Sequence, residues 1–330
     1  MNENIEIKKI IGFNEVEEQF QKSISIRNNQ TWMLVGKKGI GKRSLSMRFA
    51  GYIINKFDVN WETSELTNEV FNKETDNLHY ITALDEKNSG KISKEQIDNL
   101  SSKFKLFSNN SNYRVVIIDK FNWLTNSAMN SMLKILEEPP NEVYFLLVAD
   151  ELNNILPTIQ SRSQKVFFRN LTLDECKNIV TLNNSLINNE NLDDIIKLSN
   201  YSPGLSIEIN SFSGLSIYQE LLNTFTNKKT IRDFSKKIVS TSKNNLSNIW
   251  IVEFLFKKFL SNCLRYSINK ELINNSLILN ENQIIKAIQK NKNNNDLLDI
   301  LDNLNYRIKR VKNFNLSLEL EVYQFLNQFH

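Results

Sequence analysis

A chain of 330 residues with 41 basic and 37 acidic side chains and 41% hydrophobic residues is long enough for two or three domains with buried cores. Its net charge of only +4 excludes a highly basic nucleic-acid packaging protein and leaves any basic surface to local patches. Cys176 and Cys263 lie far apart without C-x-x-C partners, and His79 and His330 are the only histidines, which argues against a structural zinc site or a disulfide framework and fits a reducing cytoplasm.

The first six residues, Met1 to Glu6, carry neither the basic nor the apolar region of a signal peptide. Val16, Phe20 and Ile24 recur on one face of a helix. The β-rich run Thr31 to Val35 leads into Gly36-Lys37-Lys38-Gly39-Ile40-Gly41-Lys42-Arg43-Ser44, nearly the phosphate-binding pattern G-x-x-x-x-G-K-[ST]. In that pattern glycine amides cradle phosphates, the lysine reaches their oxygens and the hydroxyl ligates magnesium. Gly36, Gly41 and Lys42 are in place, but the hydroxyl position is Arg43. Ser44 comes one residue late, turned about 100° around the helix expected over Arg43 to Ala50. A phosphate fits the helix N-terminus, whereas magnesium-dependent hydrolysis does not follow from these residues.

Further strands are expected at Leu78–Ala83, Tyr113–Ile118, Val143–Val148 and Lys165–Phe168, with helices between them, so the first half reads as an α/β domain with a five-stranded parallel sheet. Asp85 to Asn112 is charged and asparagine-rich, with a turn at Ser89-Gly90 before a helix over Lys94–Phe104. Asp119 ends the apolar strand Tyr113–Ile118, where an acid beside the phosphate loop holds magnesium through water. The next residue, Lys120, stands where an ATPase carries its water-orienting glutamate, and a lysine is cationic at neutral pH. Ala128, Met132, Leu133 and Leu136 line one face of a helix that Pro139 and Pro140 stop.

After Phe168 the strand signals cease. Thr172 and Glu175 form a T-x-x-E capping box, a second helix covers Leu192–Ser199, and Ser202-Pro203-Gly204 closes a small bundle. From Leu215 onward the pattern is helical, and Ile249 to Leu260 is apolar nearly all round, interrupted by Glu253 and Lys257. This is a buried core helix and too short for a membrane span. The 50 asparagines are scattered through periodic segments and mark compositional drift. The basic residues Lys37, Lys38, Lys42, Arg43 and Arg48, and the runs Lys286–Lys292 and Arg307–Lys312, suit a phosphate site, a DNA-facing patch or a solvated face, and the sequence does not choose among these.

Ala128-Met129-Asn130-Ser131-Met132-Leu133-Lys134-Ile135-Leu136-Glu137-Glu138-Pro139-Pro140 closely resembles the A-x-N-x-L-L-K-x-L-E-E-P-P signature of bacterial clamp loaders. Leu156-Pro157-Thr158-Ile159-Gln160-Ser161-Arg162-Ser163 resembles their L-P-T-I-x-S-R-C motif, with Ser163 for the cysteine. Ile10-Ile11-Gly12 looks like the family's N-terminal box, and Asn313-Phe314-Asn315-Leu316 is similar to a helix start in its collar. The resemblance implies an AAA+ fold: a P-loop domain over residues 1–168, a helical lid over 169–212, and a helical oligomerising collar over 213–330.

Within that family the resemblance is closest to delta-prime subunits, through the altered residues at 43 and 120 and through Gly204, where the ATP-hydrolysing gamma/tau subunits carry an arginine. The zinc module common in the family is missing here. The resemblance implies a cytoplasmic stator of the DNA polymerase III clamp loader, not itself a working ATPase, in a hetero-pentamer with gamma/tau and delta that acts on the sliding clamp and on primer-template DNA, with no membrane partner. From S-R-S alone Arg162 reads as an arginine paired with an acid at the sheet edge; its place within L-P-T-I-x-S-R implies a finger reaching a neighbour's ATP site. Gly36, Gly39, Gly41, Lys42, Arg43, Ser44 and Asp119 form a degenerate nucleotide site, with no metal ligands and no required cofactor, at most ATP, ADP or phosphate held without hydrolysis. The alternatives are a gamma/tau-type ATPase using Ser44 and another acid, and an AAA+ scaffold outside replication.

Overall fold

The computed structural model describes residues 10–26, 31–83, 90–106, 113–183, 189–242, 249–269, 278, 280–314 and 316–329. The first nine residues, Ser89 of the expected turn, Asn315 of the collar motif and His330 lie outside them. The chain divides into two compact units, Met1–Asn183 with Ser202–Gly204, and Asn184–Tyr201 with Leu205–His330.

The first unit is built on five parallel strands, β1 (Thr31–Val35), β2 (Leu78–Ile81), β3 (Arg114–Ile118), β4 (Val143–Ala149) and β5 (Gln164–Phe167), in the order β2-β3-β4-β1-β5. The expected five-stranded parallel sheet is present, with the phosphate-loop strand β1 between β4 and β5. β1 is buried at every residue and β3 and β4 nearly so, because helices cover both faces and leave no polar side for an alternating pattern. β5, at an edge, alternates half-buried and exposed positions.

Two helices anchor this sheet. Lys42–Ile54 follows the phosphate loop, and its Phe49 stacks on Phe20 of helix Asn14–Ile26 at 3.6 Å between ring centres, while Phe20 also meets Trp32 of β1 edge-on at 5.0 Å. Helix Asn126–Glu137 starts at Thr125, whose hydroxyl accepts from the Ala128 amide, and buries Ala128, Met129, Met132, Ile135 and Leu136 against the sheet before the two prolines end it. The N-terminal box packs down too: Gly12 has φ +86°, its carbonyl accepts from Arg169 at 3.0 Å, and a Cβ there would lie 2.5 Å from Leu171.

The expected capping box forms. The Thr172 amide donates to Glu175 Oε2 at 2.8 Å and the Glu175 amide to Thr172 Oγ1 at 3.2 Å. Arg169 grips the same carboxylate with two nitrogens, and that grip leads the effects holding the Glu175 carboxyl down at about 2.

The second unit is helical throughout its described residues. Its long helix runs Ile249–Ile268, two turns beyond the apolar core run, and buries Leu255, Phe256, Phe259, Leu260 and Cys263. Phe259 stacks on Phe225 and Phe256 meets Phe325 edge-on. Glu281 is buried in the same core, where its Oε1 accepts from Tyr218 at 2.8 Å and from Asn262 at 2.7 Å. Cys176 and Cys263 are separate buried thiols, and burial pushes Cys176 up to about 12. Among the described residues no helix is long and apolar enough to cross a membrane.

Candidate functional site

The phosphate loop joins β1 to the helix starting at Lys42, and three glycines shape it. Gly39 and Gly41 hold φ of +77° and +107°, the left-handed region where a Cβ is penalised. Gly36 approaches Phe168 so closely that a Cβ would sit 2.7 Å from Phe168 Cβ. Lys42 is buried, and its ammonium donates to Gly36 O at 2.6 Å, Lys37 O at 2.8 Å and Asp150 Oδ1 at 2.8 Å. Asp150 is the first residue after β4, and β4 lies beside β1. It is held there in turn, since its amide donates to Asn122 Oδ1 at 2.7 Å while Asn122 Nδ2 donates to Glu151 O at 2.6 Å.

Neither Asp150 nor Asn122 stands out in a motif search. Asp150 nevertheless has the same signature as Asp119, an apolar strand ending in an acid.

Asp119 ends β3 and both its oxygens are engaged: Oδ2 accepts from the Tyr80 hydroxyl at 2.7 Å and Oδ1 from the Lys120 amide at 3.0 Å. Burial, then the Asp119 charge, push the Tyr80 hydroxyl well above its usual range. Arg43 is exposed and lies over the Tyr80 ring, 5.3 Å from its centre, with Lys73 on the same ring at 3.9 Å. A magnesium ion held through Asp119 would share that carboxylate with a phenol and enter a neighbourhood of two cations. Ser44 is half-buried one position further along the helix. Lys120 is exposed in a left-handed conformation, φ +58°, with its ammonium 5.1 Å from the Trp123 ring.

Arg162 lies outside this cluster. It follows the short helix Pro157–Ser161, donates to Thr158 O at 3.1 Å and pairs with Glu137 at 3.1 Å, the two side chains being 39% and 45% exposed. Exposed pairs of this kind contribute about 0.2–1 kcal/mol, so the guanidinium exchanges partners at small cost. The remaining basic candidates separate. Arg48 is buried against Glu17, Glu62 and the Trp61 ring, which assigns it to the core. Arg307 and Arg310 both pair with Glu321 in the second unit.

With this geometry in hand, comparison with known proteins is specific. Residues 12–172 match the family model described as DNA polymerase III, delta subunit. Over these residues, just under half of the chain, the sequence is similar to that clamp-loader family. The DNA polymerase III subunit gamma/tau of Mycobacterium bovis is 43% identical over 59 residues, 18% of this chain and 10% of that one. The DNA polymerase III subunit gamma of Buchnera aphidicola is 24% identical over 173 residues, 52% of this chain and 45% of that one. The chain thus spans less than half the length of either relative. A gamma subunit-related protein of Thermotoga maritima superposes with a TM-score of 0.46 at 17% identity, covering 95% of this chain and 98% of that one. The matched residues contain all of the phosphate loop, Asp119, Asp150 and Arg162.

Proposed function

We propose that this chain is a delta-prime-like stator of the DNA polymerase III clamp loader, which completes a hetero-pentamer with gamma/tau and delta and donates Arg162 to the ATP site of a neighbouring subunit. ATP turnover in that neighbour then drives loading of the sliding clamp onto primed DNA. The observation that carries this reading is the contrast within one domain: the metal-hydroxyl and water-orienting positions hold the cations Arg43 and Lys120, while Arg162 stands at the surface in an exchangeable pair. A guanidinium brought to a γ-phosphate neutralises the charge that develops there, and its planar fork matches the phosphate oxygens. The chain needs no cofactor or metal of its own in this role. Gly36, Gly39, Gly41, Lys42, Arg43, Ser44 and Asp119 remain as a degenerate site.

The test is reconstitution with the same organism's gamma/tau and delta subunits. Arg162→Ala should assemble normally by size-exclusion chromatography yet lower turnover at one interface by roughly 10³-fold, with clamp loading as the sharper readout. Unmutated loading by that complex refutes the finger.

A second reading, a gamma-type ATPase, is favoured by the names of the matched relatives. Steady hydrolysis near about 1 s⁻¹ by the isolated chain, within the ordinary enzyme range, would select it.

A further inference from the structure

The Lys42 ammonium has three hydrogens, and three acceptors of the same chain take them: Gly36 O, Lys37 O and the Asp150 carboxylate. In a phosphate loop that binds nucleotide, this lysine is the group that reaches the phosphate oxygens. Here a phosphate reaches Lys42 only by displacing a carboxylate, or by approaching with that carboxylate still beside it. The second course sets like charges together in a partly desolvated site, where they are weakly screened.

The Asp150 side chain is 46% exposed, but the backbone that carries it is fixed beside Lys42. Asn122 holds the backbone on both sides of it, through the Asp150 amide and the Glu151 carbonyl. The loop is braced on its other side as well. Ser202 Oγ donates to Lys38 O at 2.7 Å and the Gly204 amide to Gly39 O at 2.9 Å. A Cβ at Gly204 would lie 3.0 Å from Gly39 O, so the strap approaches the loop as bare backbone.

We propose that Asp150 is the resident anion of this phosphate loop: its carboxylate stands in for a nucleotide phosphate on Lys42 and makes the loop a closed structural joint that excludes nucleoside triphosphates. The inference concerns the isolated chain and does not depend on Arg162, so failure of the finger leaves it standing, whereas ATP hydrolysis by the isolated chain would refute it.

The test uses the full chain with ATP, and with sodium pyrophosphate as a probe lacking base and sugar, both followed by isothermal titration and by the shift in melting temperature. Wild type should show no saturable binding at millimolar ligand and no shift. Asp150→Asn keeps an oxygen acceptor for Lys42 but removes the charge. It should bind both ligands at least roughly tenfold more tightly, and its melting temperature should rise with ligand as linkage requires.

Adding Lys42→Ala to Asp150→Asn should cancel the gain. If Asp150→Asn lowers stability, the ligand-dependent rise in melting temperature still reports binding, and Asp150→Ser provides a second neutral variant. Micromolar ATP binding by wild type, or equal affinities for wild type and both neutral variants, would overturn the proposal.

Discussion

If Arg162 must leave Glu137 to act elsewhere, then Glu137→Gln removes a competitor, and the size of the effect follows from the structure. The pair is a single contact of 3.1 Å between side chains 39% and 45% exposed, so solvent screens it and its worth is at most about 1 kcal/mol. Glu137 also ends its helix, where a carboxylate meets the negative end of the helix dipole, so its loss relieves a local repulsion that partly offsets the lost pair.

The isolated chain should therefore change in stability by less than about 1 kcal/mol. In the reconstituted complex, turnover at the interface served by Arg162 should rise by no more than about fivefold, the equivalent of 1 kcal/mol. The assay pairs urea unfolding of the chain with ATP turnover of the complex, and Arg162→Ala in the same background should erase any gain. A stability loss above about 2 kcal/mol would mean the pair is structural, beyond what exposed pairs supply. A roughly tenfold fall in turnover would mean that Glu137 presents the finger instead of competing for it.

Burial raises the Glu281 carboxyl pKa above its usual value, although Asn262, Tyr218 and the Ile278 amide oppose this. Below about pH 4.3 folded and unfolded chains both hold the proton. Above it the unfolded chain releases the proton first, so this group's contribution to stability is lost as pH rises through the folded value. Glu281→Gln should flatten that slope in urea midpoints measured from pH 4.5 to 7.5, and an unchanged slope would contradict the assignment. Gly36→Ala should cost about 1–3 kcal/mol by overpacking, because the new methyl lies 2.7 Å from Phe168 Cβ. Tryptophan-monitored unfolding checks this, and a loss below about 0.5 kcal/mol would mean that Phe168 yields freely.

Strand positions were legible because buried parallel strands are continuous apolar runs, and all five begin within one residue of an expectation, β1 matching at both ends. β2 stops at Ile81, short of the expected Ala83, because its one partner β3 ends at Ile118 and the last ladder bond runs from the Asp119 amide to Ile81 O. Phe168 falls outside β5 since its amide makes the final bond to Val35 O and its side chain turns under Gly36. The departures at Arg43 and Lys120 could be read from position alone. What Asp150 does could not, because its partner Lys42 is 108 residues away and the pairing depends on β4 lying beside β1. Likewise, nothing in S-R-S points to Glu137 in particular, which reaches Arg162 only once the helix ending at Glu137 is laid beside Pro157–Ser161.

A closed phosphate joint and a surface arginine belong to one physical logic. A P-loop domain that binds nucleotide gains stability from its ligand, about 4 kcal/mol when the ligand stands a thousandfold above its dissociation constant, and it loses that support at each release. A domain whose loop closes on its own Asp150, and is strapped by Ser202 and Gly204, has a support that does not come and go with a ligand. Arg162 follows β4, the strand whose end carries Asp150, so the frame beneath it is the frame the joint holds. A finger aimed at a neighbour's phosphate needs a bearing that does not move with a nucleotide cycle of its own, because misplacement by about 1 Å costs on the order of 10²-fold in rate. If the chain is the stator proposed above, the exchange of a phosphate for a carboxylate on Lys42 would give it a fixed base from which Arg162 acts on sites that do cycle.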